Sequence, residues 1–266
     1  MVTYTSLFHR LYKSGCVEEA KKFLNDMLDR GISPDIYSYS ALTDTFCKQG
    51  KYHETISLFG LMIRRGIKPT VVTFNSLISG LCKSGHLKKA LQVLNNMIGC
   101  GTLPNVVTYN SILNTLCKEG RTAEAFNLLE AMRDADVKPD IVFYNSLISG
   151  LCHLGQWREA TRLLDKMKDD GILSNVVTFS ALVDALCRER RTKEALSLLD
   201  LMIQRDVKPD VITYTSLLDA LRKSSQWEEA TSLLKEMVSQ EVFSDTMTLN
   251  LVLGARAKKE MMGQAY

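Results

Sequence analysis

Apolar residues fall along this chain in short runs with three- and four-residue spacing, the period of one helix face. Within residues 71–105, Phe74, Leu77, Ile78, Leu81 and Cys82 form one such stripe. Gly85 interrupts it, and Leu87, Ala90, Leu91, Leu94 and Met97 form a second, closed by Gly101 and Pro104. The pattern predicts two amphipathic helices joined by a tight turn, with glycine and proline as stop and turn residues. It then returns along the chain: "VTFNSLISGLCKSG" at 72–85, "VTYNSILNTLCKEG" at 107–120 and "VFYNSLISGLCHLG" at 142–155.

The period is thirty-five residues, and the other columns keep the same frame. Every proline, Pro34, Pro69, Pro104, Pro139 and Pro209, takes the penultimate position of a unit, and Met27, Met62, Met97, Met132, Met167, Met202 and Met237 fill one column without a gap. The frame predicts seven tandem repeats (1–35, 36–70, 71–105, 106–140, 141–175, 176–210, 211–245) and a truncated eighth, 246–266. One hairpin cannot bury its apolar faces alone, so neighbours must stack into a continuous core. The expected fold is all-α, a solenoid of helix-turn-helix hairpin repeats. The small column Ala20, Ala90, Ala125, Ala160, Ala195 and Ala230, with Thr55 as its exception, lets helices approach closely. The aromatic column Tyr4, Tyr39, Phe74, Tyr109, Tyr144, Phe179 and Tyr214 lies on the leucine stripe and reads as core rather than as a base-stacking platform. Trp157 and Trp227 share one column of the second helix and read as inward packing too.

Composition changes this picture little. Hydrophobic content of 45% and charged content of 24% are ordinary for a folded chain, and the net charge of +3 permits a polyanionic partner without requiring one. Five of the seven cysteines, Cys47, Cys82, Cys117, Cys152 and Cys187, sit in one repeat column, a packing position. No Cys-x-x-Cys pair is present and the four histidines fall in four different columns, so neither metal nor disulfide is expected. No apolar run approaches the length of a membrane span. The chain starts within its first unit, as a processed protein or a piece of a longer one would.

The repeated string V-T-Y-N-S-L-I-S-G-L-C-K-x-G, followed by E-A-x-x-L-L-x-x-M and G-x-x-P-D/N, resembles the pentatricopeptide-repeat (PPR) family in its plain, P-type form of uniform units. The near-identity of successive units is similar to that of the restorer-of-fertility-like branch. The resemblance covers essentially the whole chain. It implies a right-handed superhelix binding single-stranded RNA, in mitochondria or chloroplasts, with mitochondria preferred, and acting in organellar RNA processing, stability or translation beside RNA-processing protein partners.

Four columns bear on that function. The fifth position of each unit is small and hydrogen-bonding, Thr5, Ser40, Asn75, Asn110, Asn145, Ser180 and Thr215, and such a varied polar column could address one base per repeat. The last position, Asp35, Thr70, Asn105, Asp140, Asn175, Asp210 and Asp245, is equally an N-cap for the next helix. In the family the two act together as a base-selecting pair. The resemblance implies guanine for Thr5 with Asp35, Ser180 with Asp210 and Thr215 with Asp245. It implies uracil for Asn110 with Asp140, and a pyrimidine for Asn75 with Asn105 and Asn145 with Asn175. Ser40 with Thr70 departs from the usual combinations and leans to a purine. The implied target is 5′-G-(A/G)-Y-U-Y-G-G-3′.

The second position, Val2, Tyr37, Val72, Val107, Val142, Val177 and Ile212, resembles the family's base-sandwiching residues, and first-turn packing is the competing reading. Position thirteen carries Lys13, Lys48, Lys83, Lys118, His153, Arg188 and Lys223. These cations suit a helix C-terminus whatever the function, and its Lys and Arg members also make a phosphate ladder. No zinc-deaminase motif, phosphate-binding glycine loop or nucleophile elbow occurs, so no catalysis and no cofactor are expected. Glu18, Glu19, Glu159, Glu228 and Glu229 read as solvated charge on the second helix. The ends lack polar caps, which predicts self-association through them. The rival from another class is a helical-repeat protein-interaction scaffold.

Overall fold

The structure, a computed structural model, describes residues 17–32, 34–240 and 242. The described residues form helices only, and the chain divides into two compact units, one ending at Pro139 and the other beginning at Asp140. The first unit holds α1 (Val17–Asp29), α2 (Ile36–Lys48), α3 (Tyr52–Arg64), α4 (Val71–Lys83), α5 (Leu87–Gly99), α6 (Val106–Lys118) and α7 (Thr122–Asp134). The second holds α8 (Ile141–His153), α9 (Trp157–Asp169), α10 (Val176–Arg188), α11 (Thr192–Gln204), α12 (Val211–Lys223) and α13 (Trp227–Ser239). In the first unit α2, α4 and α6 pack side by side in sequence, each against the second helix of its hairpin. In the second unit α8, α10 and α12 do the same.

Each helix starts and stops for a local reason. The even-numbered helices start after an extended residue whose side chain caps the first turn, as Asn105 does for α6. At the end of α4, Gly85 takes φ 75°, so that its N–H donates to Cys82 O at 3.1 Å and the N–H of His86 to Leu81 O at 2.9 Å. That pair of bonds is a Schellman closure, which requires a left-handed residue at the turn. Glycine is not universal there: Arg190 and Ser225 hold the same conformation, at φ 58° and 59°. Gly80 is needed for a different reason, because a Cβ on it would lie 2.6 Å from Cys47 Sγ. Here α2 and α4 approach as closely as a bare backbone allows.

The aromatic column is core: Tyr39, Phe74, Tyr144, Phe179 and Tyr214 are 0% exposed and Tyr109 3%. The methionine column, Met27 through Met237, is buried with it, as are Ala90, Ala125, Ala160 and Ala195. Tyrosine hydroxyls at the edge of this core find carboxylates, with Tyr144 donating to Asp170 at 2.5 Å and Tyr214 to Glu236 at 3.3 Å. The two tryptophans depart from the expected inward packing. Each opens a second helix at the hairpin turn and is only half-buried. The Trp157 ring is covered by the guanidinium of Arg191, 3.9 Å from its centroid, instead of by aliphatic core.

The cysteine column is free of disulfides, and burial pushes its thiols up, Cys47 and Cys117 to about 11 and Cys152 and Cys187 to about 12. An exposed thiol ionises near 9.0, so the unfolded chain loses these protons first. The stabilisation is therefore whole below pH 9.0 and is lost as pH rises through 11 to 12. Urea titrations from neutral pH upward should show the unfolding midpoint begin to fall near pH 9.0. Serine at Cys152 and Cys187 should flatten that fall, and an equal fall in the serine variant would count against it.

Candidate nucleic-acid interface

At the second position the competing readings are packing and a ligand role. Tyr37, Val72, Val107, Val142, Val177 and Ile212 lie in the first turns of α2, α4, α6, α8, α10 and α12 and are 72%, 65%, 58%, 53%, 56% and 62% exposed. A helix start supplies no reason to keep β-branched and aromatic side chains in water at every repeat of a pattern. The described members are thus not part of the core, and each unit presents a row of apolar residues at intervals of one hairpin.

Beside that row lie the fifth and last positions, and the last residue both caps a helix and touches the fifth. Its cap bonds are direct: Asp35 Oδ1 accepts from Ser38 N at 2.9 Å, Thr70 Oγ1 from Thr73 N at 3.4 Å, and Asn105 Oδ1 from Thr108 N at 3.2 Å. In the second unit Asp140, Asn175 and Asp210 accept from Phe143 N, Thr178 N and Thr213 N at 2.8, 3.1 and 2.8 Å. The same Oδ1 atoms receive the fifth residue, with Asn75 Nδ2 donating to Asn105 at 3.1 Å, Asn145 Nδ2 to Asn175 at 3.2 Å and Ser180 Oγ to Asp210 at 3.3 Å. Capping and pairing are therefore one arrangement, since the cap fixes the last side chain where the fifth can reach it. Ser40 bonds Thr73 Oγ1 at 2.8 Å, and Thr70 is occupied with that same hydroxyl at 3.2 Å. Thr215 turns its hydroxyl back to Val211 O at 2.7 Å. Asn110 belongs to the first unit and Asp140 to the second. Val2, Thr5, Lys13 and Asp245 lie outside the described residues, as does the side chain of Lys48.

Sequence reasoning missed the third position. Thr73, Thr108, Thr178 and Thr213 are 0% exposed, and each hydroxyl touches both the capping residue before it and the fifth residue of the preceding hairpin. The legible signal was the T of V-T-Y-N, which in α4, α6 and α10 closes a capping box on the preceding residue.

Lys83, Lys118, His153, Arg188 and Lys223 end their helices exposed. They are not electrically equivalent. Arg188 pairs with Asp184 at 2.7 Å and Lys223 with Asp219 at 2.6 Å, each one turn earlier, whereas the residue one turn before Lys83 or Lys118 is Ser79 or Asn114. Burial opposes the charge on Asp219, but hydrogen bonds from Lys223 and Arg222 outweigh it and hold the carboxyl below its usual range. Among the described residues no group of three or more His, Cys, Asp or Glu could hold a metal, and no helix is long and apolar enough to cross a membrane.

Comparison with known proteins places this geometry. The PPR repeat family matches residues 1–48, 41–83, 69–118, 104–142, 139–188 and 174–223, and the PPR repeat matches 212–242. Among curated proteins, none matches the chain. The crystal structure of the pentatricopeptide repeat protein PPR10 from maize is similar at 26% identity and TM-score 0.69, over 96% of this chain and 40% of that one. The structure of PPR10 in complex with an 18-nt psaJ RNA element is similar at 27% identity and TM-score 0.56, over 90% of this chain and again 40% of that one. The PPR domain of Arabidopsis thaliana protein-only RNase P 1, in complex with tRNA, shares the fold at 16% identity and TM-score 0.57, over 68% of this chain and 95% of its own. This chain thus spans less than half the length of PPR10. Family matches over more than half of this chain, on repeated helical hairpins, show that it belongs to the pentatricopeptide-repeat family.

Proposed function

We propose that this chain binds single-stranded RNA, one base per hairpin, and acts by occupancy on organellar transcripts instead of by catalysis. The observation that carries the proposal is the exposed apolar row running beside the fifth-and-last polar pairs. Apolar side chains between successive bases supply stacking, and the polar pairs face the base edges, the division of labour that single-strand recognition requires. The resemblance to PPR10, solved with an RNA element, supports the same reading. The target is 5′-G-(A/G)-Y-U-Y-G-G-3′, with the second base read most weakly because Thr70 and Ser40 spend their hydroxyls on Thr73.

Fluorescence anisotropy with 5′-GACUCGG-3′ flanked by uracils, against its shuffled version and the matching DNA, tests this across a salt series. Tighter binding to the ordered RNA that persists in added salt is the expected result. Equal, salt-labile binding to all three would reduce the protein to a phosphate ladder, and no binding would favour the protein-interaction scaffold.

Lys83, Lys118, Arg188 and Lys223 supply the phosphate contacts in this reading. Asp184 and Asp219 then compete with RNA for two of those cations. Asparagine at both positions should tighten binding about two- to fivefold at low salt and steepen the salt dependence. An unchanged slope in the double variant would take Arg188 and Lys223 out of the phosphate contacts.

A further inference from the structure

We infer that the buried third-position threonine is a positioning residue that sets the hydrogen-bonding polarity of the base-reading pair, an inference that rests on the RNA-reading role above. The argument is a count of protons. A backbone N–H can only donate, so the N–H of Thr108 requires the oxygen of the Asn105 amide to face it, at 3.2 Å. Asn75 must then offer its amino group to that oxygen, at 3.1 Å. Its own Oδ1 consequently turns inward, where the Thr108 hydroxyl donates to it at 2.6 Å while accepting the N–H of Asn105 at 3.1 Å. Both amide oxygens of the pair are thus engaged inside the protein. What remains is the second amino proton of Asn75 and the amino group of Asn105, both donors.

Asn145, Asn175 and Thr178 repeat the arrangement in the second unit, with the corresponding bonds at 3.1, 3.2, 2.6 and 3.2 Å. The pair Ser180 and Asp210 comes out with the opposite sign. A carboxylate only accepts, so the hydroxyl of Thr213 donates to Asp210 Oδ1, at 2.7 Å. Thr213 can then only accept from Ser180, at 2.7 Å, and Ser180 spends its single proton inward, there or on Asp210 at 3.3 Å. The groups left over are the lone pairs of Ser180 and the second oxygen of Asp210, all acceptors.

The hydroxyl at this position thus donates back to asparagine in two hairpins and takes a proton from serine in a third. A donor pair fits a base edge with two adjacent acceptors, O2 and N3 of cytosine. An acceptor pair fits an edge with two adjacent donors, N1–H and the N2 amino group of guanine. The threonine makes these outcomes exclusive, because a hydroxyl has one proton to place. Uracil, with an N–H between its two carbonyls, suits the donor pair less well, so the two asparagine pairs should prefer cytosine.

The test varies the third base of the RNA among all four for the wild type, Thr108→Val and Thr108→Ser, with the salt slope and the unfolding midpoint measured on each. Valine keeps the shape and removes the hydroxyl; serine keeps the hydroxyl. The wild type should favour cytosine about tenfold over a purine, an ordinary value for paired polar groups at a base edge. Thr108→Val should cut that preference to about twofold or less with the salt slope unchanged, and Thr108→Ser should retain it. Cytosine preference surviving intact in Thr108→Val overturns the relay while leaving base reading in place. So does an equal loss for all four bases that tracks the unfolding midpoint. A wild type with no preference at this base overturns base reading by Asn75 and Asn105, and the relay with it.

Discussion

Aspartate at both Val72 and Val107 is expected to lower RNA affinity by about 100-fold while leaving the unfolding midpoint in place. The two side chains are 65% and 58% exposed, so their removal gives up little buried apolar surface. Both stand in the first turn of a helix, where a carboxylate complements the helix dipole and costs the fold nothing. The whole loss therefore falls on the ligand. Stacking is worth about 1–3 kcal/mol per base, so two lost sandwiches account for two orders of magnitude, with phosphate repulsion adding to it. Anisotropy titrations beside a thermal melt check both halves. Unchanged affinity would free the apolar row from any contact with bases, and a fallen midpoint would return these residues to the core.

The repeat made most of the fold legible before any coordinates. A column that holds methionine or an aromatic at every thirty-fifth residue must occupy one kind of place, and the three- and four-residue spacing says which face is buried. Phe74, Tyr144 and Met132 accordingly sit where the pattern puts them. The second position was ambiguous because valine in a first helical turn reads equally as packing or as ligand contact. Only solvent exposure separates the two, and exposure depends on where the neighbouring hairpins stop. The second role of the third-position threonines was hidden for a stricter reason. Their decisive partner, as Asn75 is for Thr108, lies 33 residues away and is reached only after hairpins stack. A threonine three residues into a helix already has a sufficient local explanation as part of a capping box, so nothing in the string asks for a second. Trp157 shows the opposite failure, a large apolar side chain whose column suggested core but whose place at the helix start left one face to Arg191.

Phe179→Ala should be the most damaging single change to the fold and separates the core aromatics from the exposed valines. The ring is 0% exposed in α10, between helices that pack on either side of it in the second unit. Truncating a buried phenylalanine costs about 3–5 kcal/mol, transfer free energy plus the cavity left behind. In a repeat array that cost is local, since each hairpin contacts only its neighbours. Hydrogen exchange should accordingly speed up across α8, α10 and α12 well before it does so in α2 or α4. The RNA affinity of the molecules still folded should be unchanged, because the ring never reaches the ligand. If Phe179→Ala instead weakened RNA binding with the exchange pattern and urea midpoint intact, the aromatic column would be a stacking platform after all. The exposed valines would then need another purpose. The two substitutions thus form a crossed pair: apolar surface in the second column is expected to act on binding and not on folding, and apolar volume two residues later on the same helix to act on folding and not on binding.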